Sequence, residues 1–182
     1  MYFKETSLKG VYLITPDVFS DERGYFFETY NAEKVIGTPL EQYTWVQDNE
    51  SKSVRGVLRG MHFQKGDHSQ AKLVRVISGS VFDVAVDMRK DSPSFGRWFG
   101  AELNSENKHQ MLVPRGFAHG FIVLSEFAIF AYKCDNYYNP GSDSGFIYND
   151  PTVGIEWPDL GSDLVISGKD KNLSSFESAY KF

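Results

Sequence analysis

Apolar and polar side chains alternate in short runs along most of the chain, and the runs end at glycine, proline, asparagine, aspartate or serine. The clearest are "GVYLITP", "GYFFETY", "YTWVQDN", "WFGAEL", "HQMLVP", "GFAHGFIVLS", "FAIFAYKCDNYY" and "SGFIYND". Runs of this length and period predict strands, and the frequent turn signals between them predict an all-β sandwich or jelly roll. The longest alternating stretch, "KLVRVISGSVFDVAVD", predicts two antiparallel strands joined by a tight turn at residues 78–80, with Gly79 supplying positive φ. Asp83 and Asp87 then share one face of the second strand. Helical periodicity is scarce. "NAEKVIG" predicts one short helix over residues 31–37, with an asparagine cap and a glycine stop, and the tail "SGKDKNLSSFESAYKF" predicts a further turn or helix.

Composition agrees with this pattern. The 182 residues suit one domain spanning the whole chain, and no repeat, low-complexity segment or composition break marks a linker. Aromatics are heavy, with 15 Phe, 10 Tyr and 3 Trp, which favours strands and ring-lined pockets. A formal charge of -5 offers no footprint for nucleic acid, so an anionic ligand requires a local cluster of cations. No apolar run approaches the roughly 20 residues that span a bilayer, and the first residues lack the apolar core of a signal peptide. The single cysteine, Cys134, has no internal disulfide partner, so the expected compartment is the cytoplasm.

The histidines carry the first chemical signal. His62-x-Gln64 is followed after seven residues by Lys72 and after six more by Gly79, while Pro114-x-Gly116-x-x-His119 forms a second segment. Together these resemble the two signature segments of the cupin superfamily, a jelly roll or double-stranded β-helix whose metal-binding members supply His-x-His and Glu from the first and His from the second. Here Gln64 replaces the second histidine and Lys72 replaces the carboxylate. An ammonium beside the two remaining histidines opposes a divalent cation, so no metal is expected, and His68 and His109 read as loop and turn residues. The same cavity suits metal-free proton chemistry. A neutral imidazole can take a proton beside a carbonyl, and a lysine near the carbonyl oxygen can stabilise the enolate. Such a proton is less acidic than imidazolium by on the order of ten pKa units, at about 1.4 kcal/mol per unit, so stabilising the oxyanion is the larger task.

Taken together, "DERGYFFETYN", "VQDNESKS", "VLRGMHFQ", "AKLVRVISGSVFDVAVDMRKDSP", "PRGFAHGF", "YKCDNYYNP", "GIEWP" and "SGKD" closely resemble the dTDP-4-dehydrorhamnose 3,5-epimerase family. The resemblance implies inversion at the two carbons flanking the 4-keto group of a dTDP-4-keto-6-deoxy sugar, with neither redox cofactor nor metal. It makes His62 the base, Asp170 its paired carboxylate, Tyr132 the proton donor to the opposite face and Lys72 the residue at the 4-keto oxygen. It places Arg23 and Arg59 at the diphosphate, Tyr138 against thymine, and Glu28, Gln47, Asn49 and His119 along the ligand, with His119 hydrogen-bonded to Asp83 across the barrel. Asp143, where the family often has glutamate, and Lys169 are further expected contacts. Because Arg23 and Glu28 lie on an N-terminal segment that the resemblance sends into a partner's pocket, a homodimer is implied. The competing readings are a related 3-epimerase, 5-epimerase or ketoisomerase, a non-catalytic nucleotide-sugar-binding module, and a metal-dependent cupin.

Overall fold

The computed structural model describes residues 1–182. In chain order the strands are β1 (Tyr2–Glu5), β2 (Tyr12–Thr15), β3 (Phe19–Asp21), β4 (Gly24–Phe26), β5 (Gln47–Val54), β6 (Val57–Gln64) and β7 (Lys72–Ser78). They continue as β8 (Ser80–Asp87), β9 (Trp98–Asn104), β10 (Gln110–Val113), β11 (Phe117–Val123), β12 (Phe127–Cys134), β13 (Asp143–Gly145) and β14 (Val165–Ile166). Two sheets form the body, one ordered β1-β2-β10-β7-β12-β5 and the other β13-β6-β11-β8-β9, and β3 pairs β4 in a separate hairpin. This all-β arrangement, antiparallel except where the two-residue β14 joins β6 in parallel, is the expected jelly roll. No helix is long and apolar enough to cross a membrane.

Three apolar clusters explain why the central strands are apolar on both faces. Between the sheets, Val74 and Val76 of β7 meet Val81 and Ala85 of β8, Phe121 of β11 and Phe130 of β12. On the far side of the second sheet, Val84 and Val86 pack with Met61, Phe63 and the C-terminal residues Phe146 and Phe176. On the far side of the first, Leu73 and Leu112 pack under Val35 and Leu40. Successive residues of β7 and β8 therefore serve different cores, each with the period of two that a pleated strand imposes.

Several local expectations are corrected. The strands at residues 72–87 exist and Gly79 does take positive φ, but β7 and β8 do not pair; β7 joins β10 and β12, whereas β8 joins β11 and β9. Gly79 is a corner at which the chain changes sheets, and a Cβ there would stand 2.1 Å from the Phe127 carbonyl oxygen. Residues 31–37 form turns rather than a helix: Asn31 caps them as expected, but Gly37 at φ 76 and Pro39 end the run before helix propagation offsets nucleation. The tail contains the short α1 (Gly168–Lys171), capped by Ser167. "YTWVQDN" enters a sheet only at Gln47, since Tyr43 and Trp45 pack against each other and Trp45 meets Tyr30 edge-on.

Candidate active site

The site begins with an irregularity in β6. His62 lies opposite His119 and Arg59 opposite Phe121, so three steps along β6 match two along β11, which is a β-bulge. In a regular strand residues 59 and 62 point to opposite faces. Here both face the first sheet: Arg59 Nε donates to Ser53 Oγ of β5 at 3.1 Å, and His62 lines a cavity with Tyr132 of β12. Gly60 makes this possible, with φ 133 and a hypothetical Cβ only 2.7 Å from the Cα of Gly120.

The C-terminal segment brings a carboxylate to His62. β14 adds in parallel to residues 57–58 of β6, Ser167 follows, and its Oγ accepts from the Asp170 N–H at 3.0 Å. Asp170 is thereby buried behind His62, where Oδ1 lies 2.8 Å from His62 Nε2 and Oδ2 accepts from the Gly60 N–H at 3.3 Å. Burial pushes the Asp170 carboxyl upward, but hydrogen bonds from His62, Gly60 and Ser167 outweigh it and hold the group below the usual carboxylate range. An ionised Asp170 accepts the Nε2–H of His62 and so leaves Nδ1 as the basic nitrogen.

Opposite stands the first sheet. Tyr132 lines the cavity beside Lys72, whose Nζ is 5.9 Å from the tyrosine ring centroid. Burial first, then the neighbouring Cys134, raises the Tyr132 phenol above its ordinary value, so it holds its proton until a stronger base forms. The Lys72 ammonium makes no ion pair and no hydrogen bond, and burial lowers its pKa despite Cys134, Asp83 and Asp143 nearby. An ammonium desolvated and unpaired in this way is stabilised by any negative oxygen that comes into its reach.

Eight of the expected residues line this one cavity of about 190 Å³: Gln47, Asn49, His62, Lys72, Tyr132, Tyr138, Asp143 and Lys169. Across the whole chain, a family model for dTDP-4-dehydrorhamnose 3,5-epimerase matches residues 5–178. The chain belongs to the dTDP-4-dehydrorhamnose 3,5-epimerase family. The enzyme of that name from Salmonella typhimurium is 54% identical over 157 residues, covering 85% of this chain and 84% of its own. The crystal structure of the Elizabethkingia anophelis enzyme superposes with a TM-score of 0.91 at 50% identity, covering 99% of both chains. That of dTDP-6-deoxy-D-glucose-3,5-epimerase from Legionella pneumophila, in complex with dTDP-4-keto-L-rhamnose, gives a TM-score of 0.93 at 45% identity, over 97% of this chain and 93% of that one.

The remaining expected residues of this epimerase-family chain are placed differently. His119 sits beside the cavity wall, and its Nε2 lies 2.9 Å from Asp83 Oδ1, but the two residues are on neighbouring strands of one sheet, not across the barrel. Arg59 is exposed at the gap between β5 and β6. Arg23 and Glu28 do not reach the cavity of their own chain. Arg23, with its side chain 85% exposed on the β3–β4 hairpin, pairs with Asp21, and Glu28 pairs with Lys34 and Asn31. Asp143 accepts from both Lys169 and the Tyr138 hydroxyl at the rim. His68 lies in a 3-10 turn and His109 precedes β10, as expected. Gln64, Gln70 and Cys134 also line the cavity and were not singled out as contacts; two of them follow from the period of two, since Gln64 shares a face with His62 and Cys134 with Tyr132.

The Asp170 clasp makes a pH prediction. A carboxyl held low in the folded state contributes stability that is present above its unfolded value, near 4, and is lost as pH falls through the folded value. Thermal melts of the wild-type protein and Asp170→Asn are expected to show the wild type ahead at pH 6–7 and the gap closing towards pH 3. A gap independent of pH removes the assigned ionisation.

Proposed function

We propose that this chain converts dTDP-4-dehydro-6-deoxy-D-glucose to dTDP-4-dehydro-L-rhamnose by inverting C3 and C5 in turn. The observation that carries the reading is that the base and the acid stand on different sheets. His62 with Asp170 belongs to the wall built by β6, and Tyr132 to the wall built by β12. A sugar ring between them presents opposite faces to the two groups. His62 Nδ1 removes the proton beside the 4-keto group, the C–H electron pair moves to the carbonyl oxygen as an enolate, and the Lys72 ammonium stabilises that oxygen. The pair returns to carbon as the Tyr132 phenol delivers a proton from the other side. The step leaves His62 protonated and Tyr132 as phenolate, and proton exchange with solvent returns both to their starting states before the second inversion, so protons and electrons balance without a redox cofactor or a metal. The fixed phenol matters because a single base returns the proton to the face it came from.

For the ligand's remainder, Tyr138 stacks on thymine, Arg59 meets the diphosphate, and Gln47, Asn49, Asp143, Lys169 and His119 line the path. Arg23 and Glu28 serve the site of a second copy in a homodimer, with residues 1–182 as one domain whose N-terminal arm is shared. The hairpin that carries Arg23 supports this, because Phe19 and Phe26 on it are each 66% exposed and Tyr25 57% exposed, an apolar surface that a partner would cover. A lone buried thiol without a disulfide partner fits the cytoplasm.

The direct test is incubation with dTDP-4-keto-6-deoxyglucose in deuterated water, followed by NMR. Label is expected at both C3 and C5, and label at neither sinks the proposal. Label at one carbon selects a mono-epimerase instead. In the same assay Tyr132→Phe is expected to retain exchange while losing inversion by about 100-fold or more. Equal loss of both leaves the phenol without its assigned role.

A further inference from the structure

Four carboxamides line the cavity, and three of them have their donor groups occupied. Gln47 Nε2 donates to Asn49 Oδ1 at 3.0 Å, Asn49 Nδ2 to Cys134 Sγ at 3.7 Å, and Gln70 Nε2 to the Asn136 carbonyl at 2.8 Å. Gln64 differs. Its Oε1 accepts from the Asn139 backbone N–H at 2.8 Å, which fixes the orientation of the amide because only the oxygen can accept. Its Nε2 then has two N–H groups and no partner in the protein. The residue is only 4% exposed, yet Trp45 Nε1 is the sole fully sealed side-chain polar atom without a partner, so Gln64 Nε2 opens to the cavity it lines. A buried donor left without an acceptor costs free energy of the order of a lost hydrogen bond, which an incoming ligand oxygen can recover.

The position of Gln64 indicates which oxygen. It stands two residues along β6 from His62 on the same face, and through Asn139 it is tied to the residue following Tyr138. It therefore lies between the base that faces the sugar carbon and the ring assigned to thymine. In a nucleotide sugar the diphosphate occupies that interval. We infer that Gln64 is a ligand-binding residue whose Nε2 donates to a diphosphate oxygen of the bound nucleotide sugar, while its Oε1 latches the loop that carries Tyr138. This rests on the reading of the cavity as the nucleotide-sugar site.

Two substitutions separate the donor from the latch. Gln64→Glu keeps an acceptor for the Asn139 N–H and removes the donor; Gln64→Met removes both without adding charge. Calorimetric titration of dTDP into the wild-type protein first tests the nucleotide site itself, and absence of binding there rejects that reading before any variant is compared. Given wild-type binding, both variants are expected to bind dTDP at least about tenfold more weakly, as loss of a hydrogen bond to a charged group entails, with unchanged affinity for thymidine in Gln64→Glu, which keeps the latch, and a smaller loss for thymidine than for dTDP in Gln64→Met, which does not. Weakening in Gln64→Met alone reduces the residue to a latch and overturns the inference. Weakening in Gln64→Glu alone reports charge repulsion without a contact and also overturns it, as does equal weakening of thymidine and dTDP in Gln64→Glu.

Discussion

His62→Ala is expected to abolish solvent exchange at both C3 and C5 and to lower kcat by about three orders of magnitude. The size follows from the arrangement. No other imidazole or carboxylate lies on β6, Arg59 on the same side being a permanent cation, and the partnered ring nitrogen is already committed to Asp170. His119 cannot substitute, because it is buried with its Nε2 engaged by Asp83. Thermal stability is expected to fall, because the buried Asp170 loses its His62 hydrogen bond and keeps only those from Gly60 and Ser167. Exchange monitored by NMR is the decisive readout. If His62→Ala retains exchange within tenfold of wild type, the base lies elsewhere.

Lys72→Met is expected to lower kcat by about 100- to 1000-fold while leaving the melting temperature unchanged or raised. The first half follows from the loss of the one cavity cation without an ion-pair partner, since Lys169 is paired with Asp143 at the rim, at the place proposed for the oxyanion. The second follows from the sign of its titration. Burial lowers the ammonium's pKa, so the charged form is disfavoured by the folded state, and that penalty applies at neutral pH and disappears only above the ordinary lysine value. Methionine fills similar space without the charge. A variant that loses activity and also melts well below wild type indicates that Lys72 supports the fold. One that keeps both activity and stability places the oxyanion elsewhere.

The pattern of alternation made the strands legible because one-in, one-out burial leaves its period in the sequence. It did not give their partners. β7 and β8 read as a hairpin because Gly79 is a good turn residue, but a turn that permits a hairpin also permits a corner between sheets, and Phe127 and Ser125 pressing on Gly79 decide which. The same limit applied to Asp83 and His119, correctly joined but placed on the wrong pair of walls. That eight of the expected residues share one cavity was legible through the resemblance, whose motifs fix residues by order; their geometry was not. Nothing in "VLRGMHFQ" announces the bulge that brings Arg59 and His62 to one side, because it depends on Gly60 meeting Gly120 from a strand more than fifty residues away. Gln64 was visible as a departure from a metal ligand, but its free amide group emerged only once the Asn139 N–H had claimed the oxygen.

The distance between His62 and Asp170, 108 residues along the chain, has a consequence for how activity arises. The strands that build both walls of the cavity are complete by Gly145, and the carboxylate is delivered afterwards by a two-residue strand and a four-residue helix. Such a small clasp can open without the barrel unfolding, since local free energies of opening span the whole range below global stability. The barrel can thus persist as a shell whose cavity histidine lacks its carboxylate partner, and the fastening of its last segment separates that shell from the complete site.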